Sequence, residues 1–481
     1  MAVSLKGDIE LKSAPTPMQK ALKINLNPNI YGSFAEIGAG QETARNFFRA
    51  GASSGTIAKA MSAYSKEFSD AIYGRENDGR YVTKERLKKM LVHETNLLEE
   101  RLDPKEFPDR FYFSYANTVA TIDFAKKFKG HGWVGIRFQL SPLEEYSEIV
   151  LHVRFHENDA KHQQETLGKM GVNLIYGAFY YHDNPKDLLV SLYDYIDKDK
   201  IEIDMINFSG PRFAFVDNRL MSLLLVKNGF TDAVMFGPDG YNLLPADELY
   251  KKNILALRGS FRPVTKLALD MLEKGLQTFQ QEPDVSPEKT DLILEMTLDN
   301  LSHDGGTINE KDFLDRVNLL SSLNQMVMVT NFREYYRLAE YFSRFTKKRM
   351  GLIIGTNHLI KLFDKNYYKN LSGGILEAMG KLFNKKMKLY IYPYKDRKAD
   401  KAVCSRNVQL DQKMQDLFEY FKNDGRFVDI TDFNPDLLNT YTREIIEKIQ
   451  KGQSGWEKLV PKEIAMQIKK NSLFGYKKVN K

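Results

Sequence analysis

The middle of the chain alternates short apolar segments with longer amphipathic ones, and this alternation constrains the fold more than any other feature. The segments at 201–208, 232–236 and 254–261 are largely apolar and have the length of β-strands. Between and after them, 217–230 and 264–279 carry apolar residues at helical spacing. Strands that alternate with amphipathic helices indicate parallel sheets covered on both faces. The sequence therefore predicts an α/β fold with parallel, Rossmann-like sheets flanked by helices.

The same pattern continues toward the C-terminus. We expect strands at 326–330, 351–355 and 388–394, with a helix at 332–346 and a polar helical tail after the last strand. Earlier in the chain, apolar and polar residues alternate from Leu151 to Phe155, which predicts a half-buried strand.

The first hundred residues are rich in helix formers. Apolar positions at helical spacing predict helices over Glu42–Arg49, Thr56–Phe68 and Thr83–Arg101. Proline-containing polar segments at Asp103–Arg110 and Gln280–Thr290 have the composition of linkers, so we expect domain boundaries near residues 105 and 285. The expected regions are a helical N-terminal region (1–105), an α/β domain (106–285), a second α/β domain or continuation of the sheet (286–400), and a helical C-terminal tail (401–481).

Composition limits the cellular setting and the partners. Apolar residues make up 42% of the chain and charged residues 28%, as in folded globular proteins. The single cysteine, Cys404, excludes an intramolecular disulfide and fits a reducing compartment. Charged residues in the first twenty positions are atypical of a secretory signal. We therefore expect a cytoplasmic protein without a membrane partner, and the net charge of +7 does not demand nucleic acid.

The strongest local signal is the segment Arg258–Thr265, which reads RGSFRPVT, follows an apolar strand and opens a helix. A helix N-terminus attracts phosphate, and Gly259 would let a ligand approach the backbone. Ser260 and Thr265 offer hydroxyls, while Arg258 and Arg262 could form charge-assisted bonds to anionic oxygens. The alternative interpretation is a tight turn between strand and helix without a ligand.

A second glycine-rich segment lies at 34–45, FAEIGAGQETAR. Gly38 and Gly40 have the spacing of the acid-x-Gly-x-Gly turn in methyltransferases that bind S-adenosylmethionine, where glycine lets the cofactor pass close to the backbone. Glu42 stands where a third glycine is expected, so a helix-entry loop is the competing interpretation.

Two further groups of polar residues are candidate binding residues. Arg333, Tyr335 and Arg337 follow the predicted strand at 326–330, the position at which open parallel sheets place ligands, and could bind a phosphorylated or carboxylated substrate. An exposed basic helix face is the alternative. Asp204 could bind Mg²⁺ through an oxygen or serve as an ordinary polar strand residue.

Three histidines, His152, His156 and His162, are close together in sequence. On a strand, four residues span about 13 Å, too far for His152 and His156 to hold one ion. We therefore predict no metal site.

The segment at 258–265 resembles the G-[ST]-F-x-P-x-[HT] opening of the nucleotidylyltransferase superfamily. In that superfamily a closing histidine binds the nucleotide phosphates, and Ala268 occupies its position here. The segment at 351–358, GLIIGTNH, is similar to a strand of the same superfamily that ends in Gly-x-Asp, with Asn357 in place of the acid.

Over residues 5–395 the chain also resembles a family of large cytoplasmic bacterial proteins that commonly carry the name nicotinate-nucleotide adenylyltransferase. The segments that carry the resemblance are FAEIGAGQETARNFFRAG, GHGWVGIRFQLSP, IEIDMINFSGP, RGSFRPVT, NFREYYRLAEYF and LSGGILEAMGKLF.

The leading hypothesis is a protein that binds a nucleotide or phosphorylated metabolite and has nucleotidylyltransferase character. It implies ATP held by residues 258–265 with Mg²⁺ neutralising charge; positioning and electrostatics dominate such chemistry, so no catalytic residue is assigned. The alternative is a non-catalytic interaction, scaffold or ligand-sensing protein on a nucleotide-binding fold. A methyltransferase is the third hypothesis.

Overall fold

The fold is described from a computed structural model, for residues 14–302, 306–384, 386–396 and 401–478. The chain divides into two compact units, of which unit 1 extends to Thr231 and unit 2 begins at Asp232. The predicted α/β class is confirmed, since both units contain a β-sheet flanked by helices. None of the helices in the described ranges combines the length and apolar content that crossing a lipid bilayer requires.

Unit 1 contains a six-stranded sheet in the order β2-β1-β3-β4-β5-β6. Its strands are β1 (Ile30–Ile37), β2 (Ile57–Met61), β3 (Phe111–Ala120), β4 (His131–Phe138), β5 (Ser147–Phe155) and β6 (Ile201–Ser209). Its helices are α1 (Pro17–Asn25), α2 (Glu42–Ala50), α3 (Lys66–Tyr73), α4 (Lys84–Arg101), α5 (Ala160–Tyr180), α6 (Pro185–Ser191) and α7 (Asn218–Lys227). Strand β1 runs parallel to β2 and β3, whereas β3 to β6 pair antiparallel, so this sheet is mixed rather than parallel throughout.

Unit 2 contains an eight-stranded sheet in the order β16-β13-β12-β9-β10-β11-β7-β8. Its strands, including the separate β14–β15 hairpin, are β7 (Ala233–Phe236), β8 (Asn242–Leu243), β9 (Asn253–Arg258), β10 (Thr290–Thr297), β11 (Met326–Thr330), β12 (Met350–Gly355), β13 (Met387–Tyr392), β14 (Tyr394–Asp396), β15 (Lys401–Val403) and β16 (Phe427–Asp429). Its helices are α8 (Pro245–Glu248), α9 (Lys266–Phe279), α10 (Leu298–Leu301), α11 (Glu310–Ser321), α12 (Tyr335–Ser343), α13 (Thr356–Leu362), α14 (Gly374–Leu382), α15 (Gln412–Asn423), α16 (Thr442–Lys451) and α17 (Lys462–Asn471).

Six neighbouring strands of unit 2, from β16 to β11, are parallel, as the sequence predicts for this part of the chain. Alternate residues of these strands point to opposite faces, and both faces are buried. On one face, Ile254 and Leu352 belong to the apolar core that includes α12 to α15. On the other, Phe279 of α9 lies edge-on to Tyr390 of β13, with ring centroids 5.4 Å apart.

The division at residue 231 differs from the expected boundaries near 105 and 285. Strand β1 pairs with β3 across position 105, and β9 pairs with β10 across position 285. Hydrogen bonds between strands thus cross both proline-containing segments, which connect elements of one sheet. The region 1–105, predicted to be helical, includes β1 and β2 among its described residues.

The predicted helix over Thr56–Phe68 is wrong, because residues 57–61 form edge strand β2 and helix α3 begins only at Lys66. Ser65 caps that helix by accepting the Phe68 N–H at 3.1 Å. A serine N-cap inside an apparently periodic segment marks the point at which the helix begins. The first thirteen residues, which include the charged positions considered for a signal sequence, lie outside the described part of the chain.

Candidate functional site

The order of the parallel strands in unit 2 creates a crevice at the carboxyl end of the sheet. From β9 the chain continues to β10 and β11 on one side, then returns to form β12 on the other side of β9. The loops after β9 and β12 therefore leave the sheet in opposite directions. Open α/β sheets bind their ligands at such a reversal of strand order.

A cavity of about 260 Å³ lies at this position. Its wall comes from the loop after β9, the start of α9, the ends of β12 and β13, and the segment before α16. The lining residues are Leu257, Arg258, Gly259, Ser260, Phe261, Pro263, Thr265, Leu267, Ala268, Met271, Tyr335, Ile353, Ile354, Gly355, Asn357, His358, Tyr392, Pro393, Tyr394, Leu438, Thr440, Tyr441 and Thr442. Segments far apart in sequence thus converge on one site.

Arg258, predicted to bind an anionic ligand, lines the cavity but is already paired with an acid. Its guanidinium donates to the buried carboxylate of Glu295, from Nε at 2.5 Å and from Nη2 at 3.0 Å. Nη1 donates to the Arg333 carbonyl at 2.8 Å, and the group lies 4.3 Å from the Tyr335 ring centroid. Thr330 donates a further bond of 2.6 Å to Glu295. The pair joins the carboxyl ends of β9, β10 and β11.

Arg262 is also paired with an acid and is not among the residues that line the cavity. Its Nε donates to Asp312 of α11 at 2.5 Å. Arg316, fully buried on the same helix, forms an ion pair with Asp312 and donates to the Ser260 carbonyl at 3.0 Å. Arg262 of the loop and Arg316 of α11 thus share the Asp312 carboxylate, and together they fix the backbone around residue 260.

The remaining residues of the loop have mixed roles. Thr265 is the N-cap of α9, and its hydroxyl accepts the Ala268 N–H at 3.1 Å. A Cβ atom at Gly259 would lie 2.9 Å from the Phe261 ring, so that ring packs where a larger side chain would stand. Ser260 is half-buried at the cavity wall. The loop therefore offers the Ser260 hydroxyl, rather than two arginines, to a ligand.

His358 faces the cavity from the first turn of α13. Partial desolvation lowers the pKa of this imidazole, and the positive charges of Lys361 and Arg258 lower it further. A histidine with a lowered pKa is neutral at pH 7 and can both donate and accept a hydrogen bond. Sequence reasoning recorded His358 within the similar GLIIGTNH segment but assigned it no role.

The segment before α16 contributes polar groups that sequence reasoning missed. Thr440 is 7% exposed, lines the cavity, and has a buried hydroxyl without a hydrogen-bond partner among the described residues. Thr442, the first residue of α16, lines the cavity beside it, and no side-chain bond caps this helix. Thr-x-Thr immediately before an amphipathic segment is the sequence signal that could have identified this helix start.

The three residues that were predicted to bind a substrate, Arg333, Tyr335 and Arg337, do not lie together. Tyr335 lines the cavity and is buried, which raises the pKa of its hydroxyl to about 12. Arg333 forms an exposed ion pair with Asp299 at 2.8 Å, and Arg337 lies 3.7 Å from Asp232. Neither arginine is among the cavity residues, so Tyr335 alone of this group belongs to the site.

The turn at Gly38 and Gly40 in unit 1 is closely packed. Gly38 has a φ of +95°, and a Cβ atom there would lie 1.7 Å from the Val119 carbonyl oxygen. Gly40 has a φ of +70°, and its Cβ position lies 3.3 Å from Gln164 Oε1. Backbone packing against β3 thus requires glycine at position 38, and the positive φ favours glycine at both positions.

Glu36, the acid of the same segment, is buried beneath the start of α2. Its carboxylate accepts the backbone N–H groups of Ala44 at 2.9 Å and Thr43 at 3.2 Å. The Asn117 side chain donates a third bond of 3.2 Å. Burial outweighs these bonds and raises the pKa of Glu36 to about 7.

Asp204, predicted as a substrate- or magnesium-binding residue, forms hydrogen bonds with two side chains of the neighbouring strand β5 in unit 1. It bonds to His152 Nδ1 at 2.5 Å and to Arg154 Nε at 2.7 Å, and His152 Nε2 lies 3.2 Å from His131 Nδ1. Burial acts to raise the pKa of Asp204, but His152 and Arg154 outweigh it and the pKa is lowered. Among the described residues, no group of three or more acidic, histidine or cysteine side chains has the arrangement of a metal site.

Comparisons with known proteins give only distant likenesses. No family model and no curated protein matches this chain. A nicotinic acid mononucleotide adenylyltransferase of Plasmodium falciparum complexed with APC is 11% identical, with a TM-score of 0.30, and the match covers 47% of this chain and 98% of that one. A competence-damaged protein (CinA) superfamily protein from Enterobacter cloacae is 12% identical, with a TM-score of 0.26, and the match covers 37% of this chain and 98% of that one. At these values the likeness supports no argument about function.

The pairing of Arg258 with Glu295 predicts a structural phenotype. Arg258→Ala would leave the Glu295 carboxylate buried without its cation, so we expect the free energy of unfolding to fall by about 3–5 kcal/mol. Arg333→Ala breaks an exposed ion pair and should cost about 0–1 kcal/mol. Urea unfolding of both variants measures the difference, and equal small losses would show that Arg258 does not stabilise the sheet.

Glu36 predicts a pH dependence of stability. Its native pKa lies above the unfolded value of 4.5, so the native state binds more protons between pH 4.5 and pH 7 and loses stability as the pH rises through this range. Glu36→Gln cannot ionise. Between pH 4.5 and pH 8, the free energy of unfolding of Glu36→Gln relative to that of the wild type should therefore rise by about 2–3 kcal/mol. Exposed Glu67→Gln is the control, and parallel pH profiles for wild type and Glu36→Gln would contradict the prediction.

Proposed function

We propose that unit 2 binds a nucleotide or a related phosphorylated metabolite in the cavity at the carboxyl ends of β9 and β12. The observation that carries this proposal is Thr440, a lining residue of that cavity beside the start of α16, whose buried hydroxyl has no hydrogen-bond partner among the described residues. A buried hydroxyl without a partner is costly unless a ligand or water supplies the missing bond. Its location at the reversal of strand order is the position at which α/β sheets bind ligands.

The electrostatics of the cavity support an anionic group on the ligand. A helix start carries about half a positive charge from its unpaired N–H groups, which favours phosphate or carboxylate. Thr442 and Thr440 place hydroxyls at the start of α16, and neutral His358 offers a further bond from α13. Apolar lining residues such as Met271 and Ile353 would cover the rest of a small ligand.

The proposal is for binding, in the manner of a ligand-sensing protein, rather than for transfer. Adenylyl transfer, which the resemblance implies, uses ATP with Mg²⁺. Mg²⁺ is bound in such sites through one or two carboxylates together with the substrate phosphates. None of the described residues that line the cavity is a carboxylate, so the site does not fit that cofactor pair and no catalytic residue is assigned.

A matched pair of threonine variants tests the site. Thr440→Val removes the unpartnered hydroxyl of this lining residue, so we expect the thermal shift produced by a bound nucleoside monophosphate to fall, since a weaker complex stabilises less. Thr56→Val is the control, because Thr56 is also buried with an unpartnered hydroxyl but belongs to unit 1. Thermal unfolding with and without ligand measures both. Equal shifts in wild type and Thr440→Val, or loss of the shift in Thr56→Val, would count against this cavity.

A further inference from the structure

We infer that the cavity selects a ligand with a planar ring and no more than one anionic group, such as a nucleoside monophosphate, and rejects a nucleoside triphosphate with Mg²⁺. This inference rests on the proposed function and specifies its ligand class. It is carried by the charge of the described lining residues, the size of the polar region and the aromatic wall.

The lining residues supply little positive charge. Among them, Arg258 and His358 are the only side chains that can carry a positive charge. The charge of Arg258 is balanced by Glu295, with which it forms two hydrogen bonds. His358 is neutral at pH 7 because desolvation and neighbouring positive charges lower its pKa. A triphosphate carries three to four negative charges, which such a wall leaves uncompensated in a partly desolvated site.

The second loop arginine does not change this balance. Arg262 lies outside the set of lining residues, pairs with Asp312 at 2.5 Å, and has its guanidinium 5.8 Å from the Phe474 ring. Moving it toward a ligand would break its bond to a carboxylate that is 8% exposed. That movement is unfavourable because it would leave a buried carboxylate with one cation fewer.

One region of the wall combines two hydroxyls with the start of a long helix. Thr440 and Thr442 stand together at the start of α16, whereas Ser260 and His358 line the cavity singly, from the loop after β9 and from α13. At the start of α9, the Thr265 hydroxyl already accepts the Ala268 N–H, and the Leu267 and Ala268 side chains face the cavity. One region at one helix start has the size for a single phosphate or carboxylate.

Another part of the wall is aromatic. Tyr392 and Tyr394, from the end of β13 and the following strand, line the cavity near Met271 of α9. The Tyr392 hydroxyl donates to Asp270, which fixes that ring in place. Tyr392 is itself buried, so the partly exposed Tyr394 ring is the one of this pair against which a planar base or pyridine ring can pack.

Isothermal titration of the full chain tests the ligand class. The probes are the nucleosides of the four common bases and of nicotinamide, with their monophosphates and, for the common bases, triphosphates with and without Mg²⁺. We expect at least one monophosphate to bind, its nucleoside to bind more weakly, and its triphosphate to bind at least tenfold more weakly with or without Mg²⁺. A triphosphate that binds as tightly as the monophosphate overturns the inference but leaves the proposed function standing. If no probe binds, the proposed function fails and the inference fails with it.

A variant of Thr440 tests whether the start of α16 binds the phosphate of the ligand. Thr440→Val should reduce the affinity for the best monophosphate to about that of its nucleoside, while the nucleoside affinity stays within twofold of the wild type. Thr56→Val, the matched control, should leave both affinities unchanged. An equal loss for nucleoside and monophosphate in Thr440→Val would show that the residue does not contact the anionic group and would overturn the inference.

Discussion

The position of β9 between β10 and β12 is the constraint on which the site depends. Parallel pairing on both sides of β9 aligns the carboxyl ends of three strands at one edge of the sheet. Because the chain leaves β9 in one direction and β12 in the other, the two following loops diverge and leave a crevice between them. Leu257 and Ile353, which are paired in register, lie at the floor of the resulting cavity. The α9 start and the segment before α16 then supply its sides.

The same edge of the sheet carries two buried acids that decide how its arginines are used. Glu295 lies on β10 beside β9, and Asp312 lies on α11, and each holds one arginine of the loop. An arginine paired in this way stabilises the fold and orients the backbone around Ser260, but its charge is not available to a second anion. The loop with the strongest sequence signal for phosphate binding is therefore largely a structural element. The groups available to a ligand come from other segments.

Sequence reasoning predicted the α/β class and strands β6, β9, β11, β12 and β13, because these strands are continuous apolar runs buried on both faces. It missed β1, β3, β4 and β10, and it took β2 for part of a helix. Strand β1 contains Glu36 and β3 contains Asn117, polar residues that the core accepts because they bond to each other across the sheet and because Glu36 also accepts backbone N–H groups at the start of α2. That partnership becomes visible only when two segments about eighty residues apart are paired.

The sequence likewise predicted one part of the candidate site and missed others. The sequence located the segment 258–265 at the end of a strand and the start of a helix, as the structure has it. It did not reveal that Glu295 and Asp312 would pair with the two arginines, since these acids lie 37 and 50 residues further along the chain. Nor did it reveal Thr440, whose role depends on the C-terminal segment returning to the carboxyl edge of the sheet. Local chemistry can be recognised in a motif, but long-range pairing decides which groups remain for a ligand.

Hydrogen–deuterium exchange of the full chain, with and without its best-binding nucleoside monophosphate, tests the central claim most directly. A ligand in the cavity should slow exchange in three separate segments: the loop and helix start at 257–271, the end of β12 with α13 at 353–358, and the segment at 438–442. Exchange around Gly38 and Gly40 should not change. Protection confined to the glycine-rich turn of unit 1, with none in the three cavity segments, would contradict the account.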